Sequence, residues 1–350
     1  MSQRTYPVLM AGLLVVVGIW GIRGSLAGEA SEATPKPPPA GGGPATDHPR
    51  KKYTPISLPY AEQTLPEVTP PPDAPPRFVV NLRPSGALRF KGYTWSLGTG
   101  SVEDQANALV NLRHDLESLT ANPRWREADH SSKVALMIYG DRNARWQYVS
   151  WILQICADPR IQIYRLQFAV RPPPTGEKPG RNGRASTDRR IDFELPRNGS
   201  WRRPSAPAES RPTITVKLFR RPPPPGSARS EPATRIVIGD RPPLSLPPGS
   251  WTGLEENRDG RPGDRERWKR YAACQREIVK ILEALRAKHG DDAKIQGEIK
   301  TPPPYGQAVP HGDVILVLDA FHEAGIQDVI FEGAVPPVFH RGNGRIIKTD

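Results

Sequence analysis

The chain has 350 residues, a formal net charge of +12, 42 prolines, 31 glycines and two cysteines. So much proline argues against one large compact enzyme and suits two domains of about 100 residues each, with much of the chain left over as linker. Cys156 and Cys274 are too few for a disulfide framework and lack the close spacing of a zinc site. Each sits among apolar residues of a predicted helix, where a buried, inert thiol is expected; one disulfide between them is the alternative.

The first residues set the compartment. An uncharged run from Tyr6 to Ile22 is bracketed by Arg4 and Arg23 and is about long enough to cross a bilayer core. Ser25-Leu26-Ala27 offers the small residues that a signal peptidase reads, but the length and valine content of the run favour an uncleaved anchor. Residues 1–27 are therefore expected as a membrane anchor or signal segment of an inner-membrane, single-pass protein, with the bulk of the chain extracytoplasmic. Residues 28–76 carry no apolar periodicity and a proline every few residues, so they read as an extended linker reaching on the order of 150 Å.

The first folded domain is expected over residues 77–171. FVVNLRPSG and ALRFKG read as two strands joined at Pro84-Ser85-Gly86. Val102, Ala106, Leu109, Leu112, Leu116 and Leu119 recur every three or four residues, which predicts one face of an amphipathic helix, with Asp104, Arg113, Asp115 and Glu117 opposite. KVALMIYGD, from Lys133, has the continuous apolar run of a buried strand. A second helix follows, with Trp146, Val149, Ile152, Leu153 and Cys156 on its buried face, and IQIYRLQFAV from Ile161 closes the unit as a strand. A strand, crossover helix and strand in that order favour a parallel pair.

The chain then repeats itself. Pro310 to Ala334 overlays Arg145 to Ala169 without a gap at an offset of 165 residues, pairing Val149 with Val314, Ile152 with Val317, Leu153 with Leu318 and Cys156 with Phe321. Upstream, TITVKLF from Thr213 and RIVIGD from Arg235 predict two strands. A long helix follows with Trp268, Tyr271, Ile278, Leu282 and Leu285 on one stripe, then a strand at AKIQGEIKT from Ala293. A tandem repeat is the reading, with a basic Pro-rich linker over 172–210, a second domain over 211–335 and a tail over 336–350. IDFELP at Ile191 is a candidate extra strand of the first domain. From Arg171 to Arg270 the chain holds 19 Arg and 3 Lys against 12 acidic residues, so most of the positive charge belongs to the middle, where cell-wall polymer or anionic lipid are the natural partners and charge that serves only solubility is the alternative. Sparse aromatics there argue against nucleic acid.

Polar constellations are few. Asp319, His322 and Glu323 share a helix face at i, i+3 and i+4, a metal-like spacing that is expected instead to be a solvated face opposite Val314, Val317, Leu318 and Phe321. His311 is expected just before the helix, as part of its cap or exposed. Gly98-Thr99-Gly100 lacks the lysine of a phosphate loop. No nucleophile or metalloprotease motif occurs, so no catalytic, cofactor-binding or metal residue is assigned and no enzyme activity or cofactor is expected.

The order strand, strand, helix, strand, helix, strand, ending in VILVLDAFHEAGIQDVIFEG, resembles the extracytoplasmic domain of the ExbD/TolR biopolymer-transport family. Val314 to Phe331 follows that family's "v..vld.l..aGi..i.l" pattern closely, and VALMIYGD resembles its strand ending in an aspartate. The first copy departs from the pattern, with Asp158-Pro159-Arg160 where the second has Glu323-Ala324-Gly325. The resemblance implies an α+β fold: a membrane-spanning helix, then two domains, each with helices packed on a small mixed sheet. It further implies a role in proton-motive-force-coupled envelope transport, an ExbB/TolQ-like multi-span partner, and self-association. In the family an aspartate within the membrane helix handles the proton, and here nothing acidic or basic lies between Tyr6 and Ile22, so no proton relay is expected from this chain. A structural envelope module that binds cell-wall polymer or another envelope protein is the alternative.

Overall fold

Alternating burial along the strands and three-to-four-residue spacing along the helices place most apolar side chains on one face of each of two sheets. The computed structural model describes residues 56–66, 74–171, 189–195, 211–220, 233–246, 262–290, 293–303 and 305–332. In chain order the elements are β1 (Leu65–Pro66), β2 (Arg77–Leu82), β3 (Ala87–Phe90), β4 (Tyr93–Ser96), α1 (Val102–Thr120), β5 (Ser132–Gly140), α2 (Trp146–Cys156), β6 (Ile163–Val170) and β7 (Arg189–Glu194). They continue as β8 (Thr213–Arg220), β9 (Thr234–Ile238), β10 (Leu244–Ser245), α3 (Pro262–His289), β11 (Gln296–Lys300), α4 (His311–Glu323) and β12 (Val329–Glu332). The fold is mixed α+β.

The first sheet runs β1-β7-β6-β5-β2-β3-β4 and the second β10-β9-β8-β11-β12. Five strands of the first, β4-β3-β2-β5-β6, recur in the second in the same order and with the same senses: antiparallel at the hairpin end, parallel across the two central pairs. Inward rows cross each sheet. Val80, Ile138, Phe168 and Ile191 lie side by side in the first, and Ile238, Val216, Ile299 and Phe331 in the second, all buried.

Local signals account for the elements. Ser101 caps α1 in a reciprocal box with Asp104, satisfying first-turn donors. Lys91 and Gly92, at φ 48° and 87°, make the two-residue turn joining β3 to β4, for which positive φ is required. On α1 the buried stripe comprises Ala106, Leu109, Leu112 and Leu116, while Val102 is exposed at its first turn.

α2 and α4 do not behave as amphipathic helices. On α2, Trp146, Val149, Ile152, Leu153 and Cys156 are buried as expected, but so are Tyr148, Ser150 and Trp151. On α4 every residue from His311 to Phe321 is buried. The expected solvated face of α4 is therefore corrected: the helix lies among α3, β11, α2 and a segment from the expected linker. That segment, residues 56–66, is a strap rather than part of a free tether, with Leu58 and Ala61 buried and Leu65–Pro66 paired to β7. The expected linker 172–210 likewise loses residues 189–194, which add antiparallel to β6; this is the candidate strand at Ile191. The expected anchor 1–27, the tail 336–350 and most of both linkers lie outside the described residues. Among the described residues no helix is long and apolar enough to cross a membrane.

The described residues fall in one compact unit, 54–350, and one apolar core runs through both sheets. Leu153 and Leu318 occupy equivalent, fully buried places in that core. Truncating either to alanine is expected to cost about 2 to 5 kcal/mol. Because the core is shared, urea denaturation should show both variants shifting one and the same transition; a variant that splits unfolding in two would show that the repeats are independent.

Candidate functional site

The two repeats meet where the chain enters α2 and α4. There Trp146 N–H donates to the Val309 carbonyl at 2.8 Å and His311 N–H donates to the Ala144 carbonyl at 2.7 Å, closing an antiparallel bridge between Arg145 and Pro310. These three-residue segments are the ones that coincide at the 165-residue offset. A contact in which position i of one copy meets position j of the other, and j meets i, is the signature of a two-fold axis. The repeats are thus paired about a local pseudo-two-fold through Arg145 and Pro310.

Side chains repeat the reciprocity. Trp146 and His311, at equivalent positions, stack with ring centres 5.8 Å apart and planes 10° apart. Phe331 reaches across to Trp146 at 4.8 Å and to Phe193 at 4.8 Å, and Phe168 lies against both His311 and Phe331. Gly140, at the end of β5, supplies the floor under His311: a Cβ there would lie 2.6 Å from Cδ2 and 2.7 Å from Nε2 of the imidazole. His311, expected to cap the helix or face water, is instead the first residue of α4 and fully buried. Its two ring nitrogens and Trp146 Nε1 have no hydrogen-bond partner among the described residues.

Three buried carboxylates hold the surroundings. At one end of the strap, Ser57 N–H donates to Asp141 Oδ2 at 2.9 Å while Arg142 N–H donates back to the Ser57 carbonyl. At the other end, Asp319 accepts from Glu62 N–H at 2.7 Å, Gln63 N–H at 2.8 Å and Gln275 Nε2 at 2.7 Å. Between them the strap exchanges backbone bonds with Arg171. Asp141 belongs to the first repeat and Asp319 to the second, so the strap staples one to the other. Burial pushes both carboxyls up, opposed by the backbone donors. Asp313, the third, accepts from Thr234 Oγ1 at 2.5 Å and from the Tyr271 hydroxyl at 3.4 Å, and burial together with that carboxylate pushes the tyrosine up.

The residues weighed for metal binding are spent otherwise. Asp319 faces the strap, and Glu323 shares the Gln275 amide with it at 3.3 Å; burial, then Glu62, Asp319 and Glu283, push the Glu323 carboxyl up. Burial lowers His322. Among the described residues no group of three or more His, Cys, Asp or Glu side chains is placed to hold a metal. Cys156 and Cys274 are free thiols; burial raises both, and Asp313 and Glu277 help to push Cys274 up to about 11. Gly98-Thr99-Gly100 is the turn before the α1 cap, where Thr99 N–H donates to Ser96 Oγ. The arrangement is an interface between the repeats and a staple across it. No family model, curated protein or solved structure matches the chain.

Two substitutions test these contacts. Gly140→Ala should overpack the seam, because Trp146 blocks retreat of the imidazole, at a cost of about 1 to 3 kcal/mol. A double-mutant cycle with His311→Ala should recover part of that loss; strict additivity would place the strain elsewhere. Asp319→Ala leaves two strap amides without their acceptor and the Gln275 amide with Glu323 alone, at about 1 to 3 kcal/mol. A glutamate-specific protease should then cut after Glu62 about tenfold faster or more, as the strap opens locally.

Proposed function

We propose that the chain is a membrane-anchored, ExbD/TolR-like component or accessory of a proton-motive-force-coupled envelope transport complex. It acts by docking of its extracytoplasmic domains, and its own membrane segment supplies no carboxylate for a proton relay. The observation that carries this reading is the pair of repeats with one strand order, joined reciprocally at Arg145 and Pro310. Two copies of a domain that bury their helices against each other present sheets and edges to a partner, which suits docking better than turnover. The same strand–helix order is what the resemblance to the family rests on.

The partner chemistry that follows is an ExbB/TolQ-like multi-span protein met at the membrane, with the tether setting how far the paired domains reach. The basic middle of the chain adds attraction to polyanions such as cell-wall polymer or anionic lipid headgroups.

Detergent extraction of tagged full-length chain, followed by pull-down and identification of what comes with it, decides between the transport reading and a purely structural one. Recovery of an ExbB/TolQ-like multi-span protein is expected. Binding to isolated cell wall with no such protein recovered would replace the transport role by that of a structural envelope module. Amino-terminal sequencing of the mature protein is the second arm: a chain that begins at Gly28 has lost the segment through which a stator role would act.

A further inference from the structure

The two helix entrances that meet at the pseudo-two-fold bring an ionisable ring into a place that opposes a positive charge. His311 is the first residue of α4, and Trp146, stacked on it, is the first residue of α2. Both helix N-termini therefore converge here, each carrying the equivalent of about half a positive charge. Around the ring stand Trp146 from α2, Gly140 from β5 and Phe168 from β6. Neither ring nitrogen has an acceptor among the described residues.

The titratable groups nearby are already engaged. Asp141 and Arg142 follow Gly140, and Asp141 accepts from Ser57 and Asn143 N–H while Arg142 lies over the Tyr60 ring. On the same helix, Asp313 accepts from Thr234 and Tyr271. From α2 comes Tyr148, buried beside Trp151.

We propose that His311 is an acid-sensitive latch: neutral, it seals the seam between the two repeats, and protonated, it forces the seam open. This goes beyond the docking function and does not depend on which partner docks. The charged ring would need an acceptor and solvent that the seam denies it, and two helix dipoles would oppose it. Opening the seam is the way to supply both.

Burial pushes the imidazole down to about 3 from 6.5. A group whose folded pKa is depressed gives stability that is present above its unfolded pKa and is lost as pH falls toward the folded one. Between pH 7.5 and pH 5 the unfolding equilibrium constant should therefore rise about 30-fold from this residue alone. His322, also lowered by burial, acts in the same sense. Asp141, Asp319 and Glu323, raised by burial, act in the opposite one, so the effect is read as a difference between variants.

Urea unfolding of full-length wild type and His311→Phe, measured from pH 7.5 to pH 5, tests the latch. Phenylalanine keeps the stack and cannot take a proton, so the variant should lose most of the 30-fold acid sensitivity; the same dependence in both proteins overturns the proposal. Hydrogen exchange on the wild type serves if the variant does not fold. Corrected for intrinsic rate, peptides covering residues 144–148 and 309–313 should lose protection at pH 5 ahead of the α1 peptide. Seam peptides that stay as protected as α1 would overturn it equally.

Discussion

The reciprocal backbone pair at Arg145 and Pro310 is the constraint from which the rest follows. A helix begins with amide donors that have no partner inside it, and a helix sunk in a core cannot leave them to water. Each of the two buried helices sends its first N–H to a carbonyl of the other repeat. The bond that satisfies one entrance is thus supplied by the act of pairing, and pairing lets α4 from His311 to Phe321 and most of α2 be buried.

That coupling explains the placement of the polar residues. Burying α4 throughout brings Asp313 and Asp319 into an apolar setting, where a carboxyl without donors costs free energy. Each is therefore met: Asp313 by Thr234 and Tyr271, Asp319 by two strap amides and Gln275. The acceptor needs of Asp319 fix the path of the strap, and the strap in turn covers the part of α4 that the second sheet leaves open. Asp319 thereby organises backbone, and Asp313 organises the side chains packed on α4.

Much of this was legible in sequence, because periodicity reports burial. The strands at Phe78, Ala87, Lys133, Ile161, Thr213 and Arg235 were predicted within a residue or two of where they occur, and so were the helices over 102–120 and 146–156. The 165-residue offset even set Trp146 over His311. What periodicity could not report is what covers a helix's second face. The polar residues of α4 read as solvated because Asp, His and Glu alternate with an apolar stripe, and nothing local reveals that a proline-rich segment some 250 residues upstream, Glu62 and Gln63 among it, supplies the missing donors. β4 and β10 went unread for a related reason: Tyr93–Ser96 and Leu244–Ser245 are short edge strands, too brief to show alternation. β7 gave only a hint, since Ile191 and Phe193 alternate with charge inside a basic, proline-dense stretch.

Fusing the two copies in one chain permits what a symmetric pair cannot. Across a true two-fold axis the same residue would face itself, whereas here tryptophan faces histidine. Likewise the strap-holding Asp319 of α4 has Gln154 as its counterpart on α2 at the 165-residue offset. A symmetric dimer with Asp319 in both copies would demand two straps on two equivalent paths, whereas here the strap of residues 56–66 runs from Asp141 of the first repeat to Asp319 of the second. The second repeat supplies the ionisable ring and the Asp319 end of the strap, and the first supplies the larger sheet, the Asp141 end of the strap and the indole stacked on the ring. The asymmetry is therefore a division of labour between copies that still share one topology.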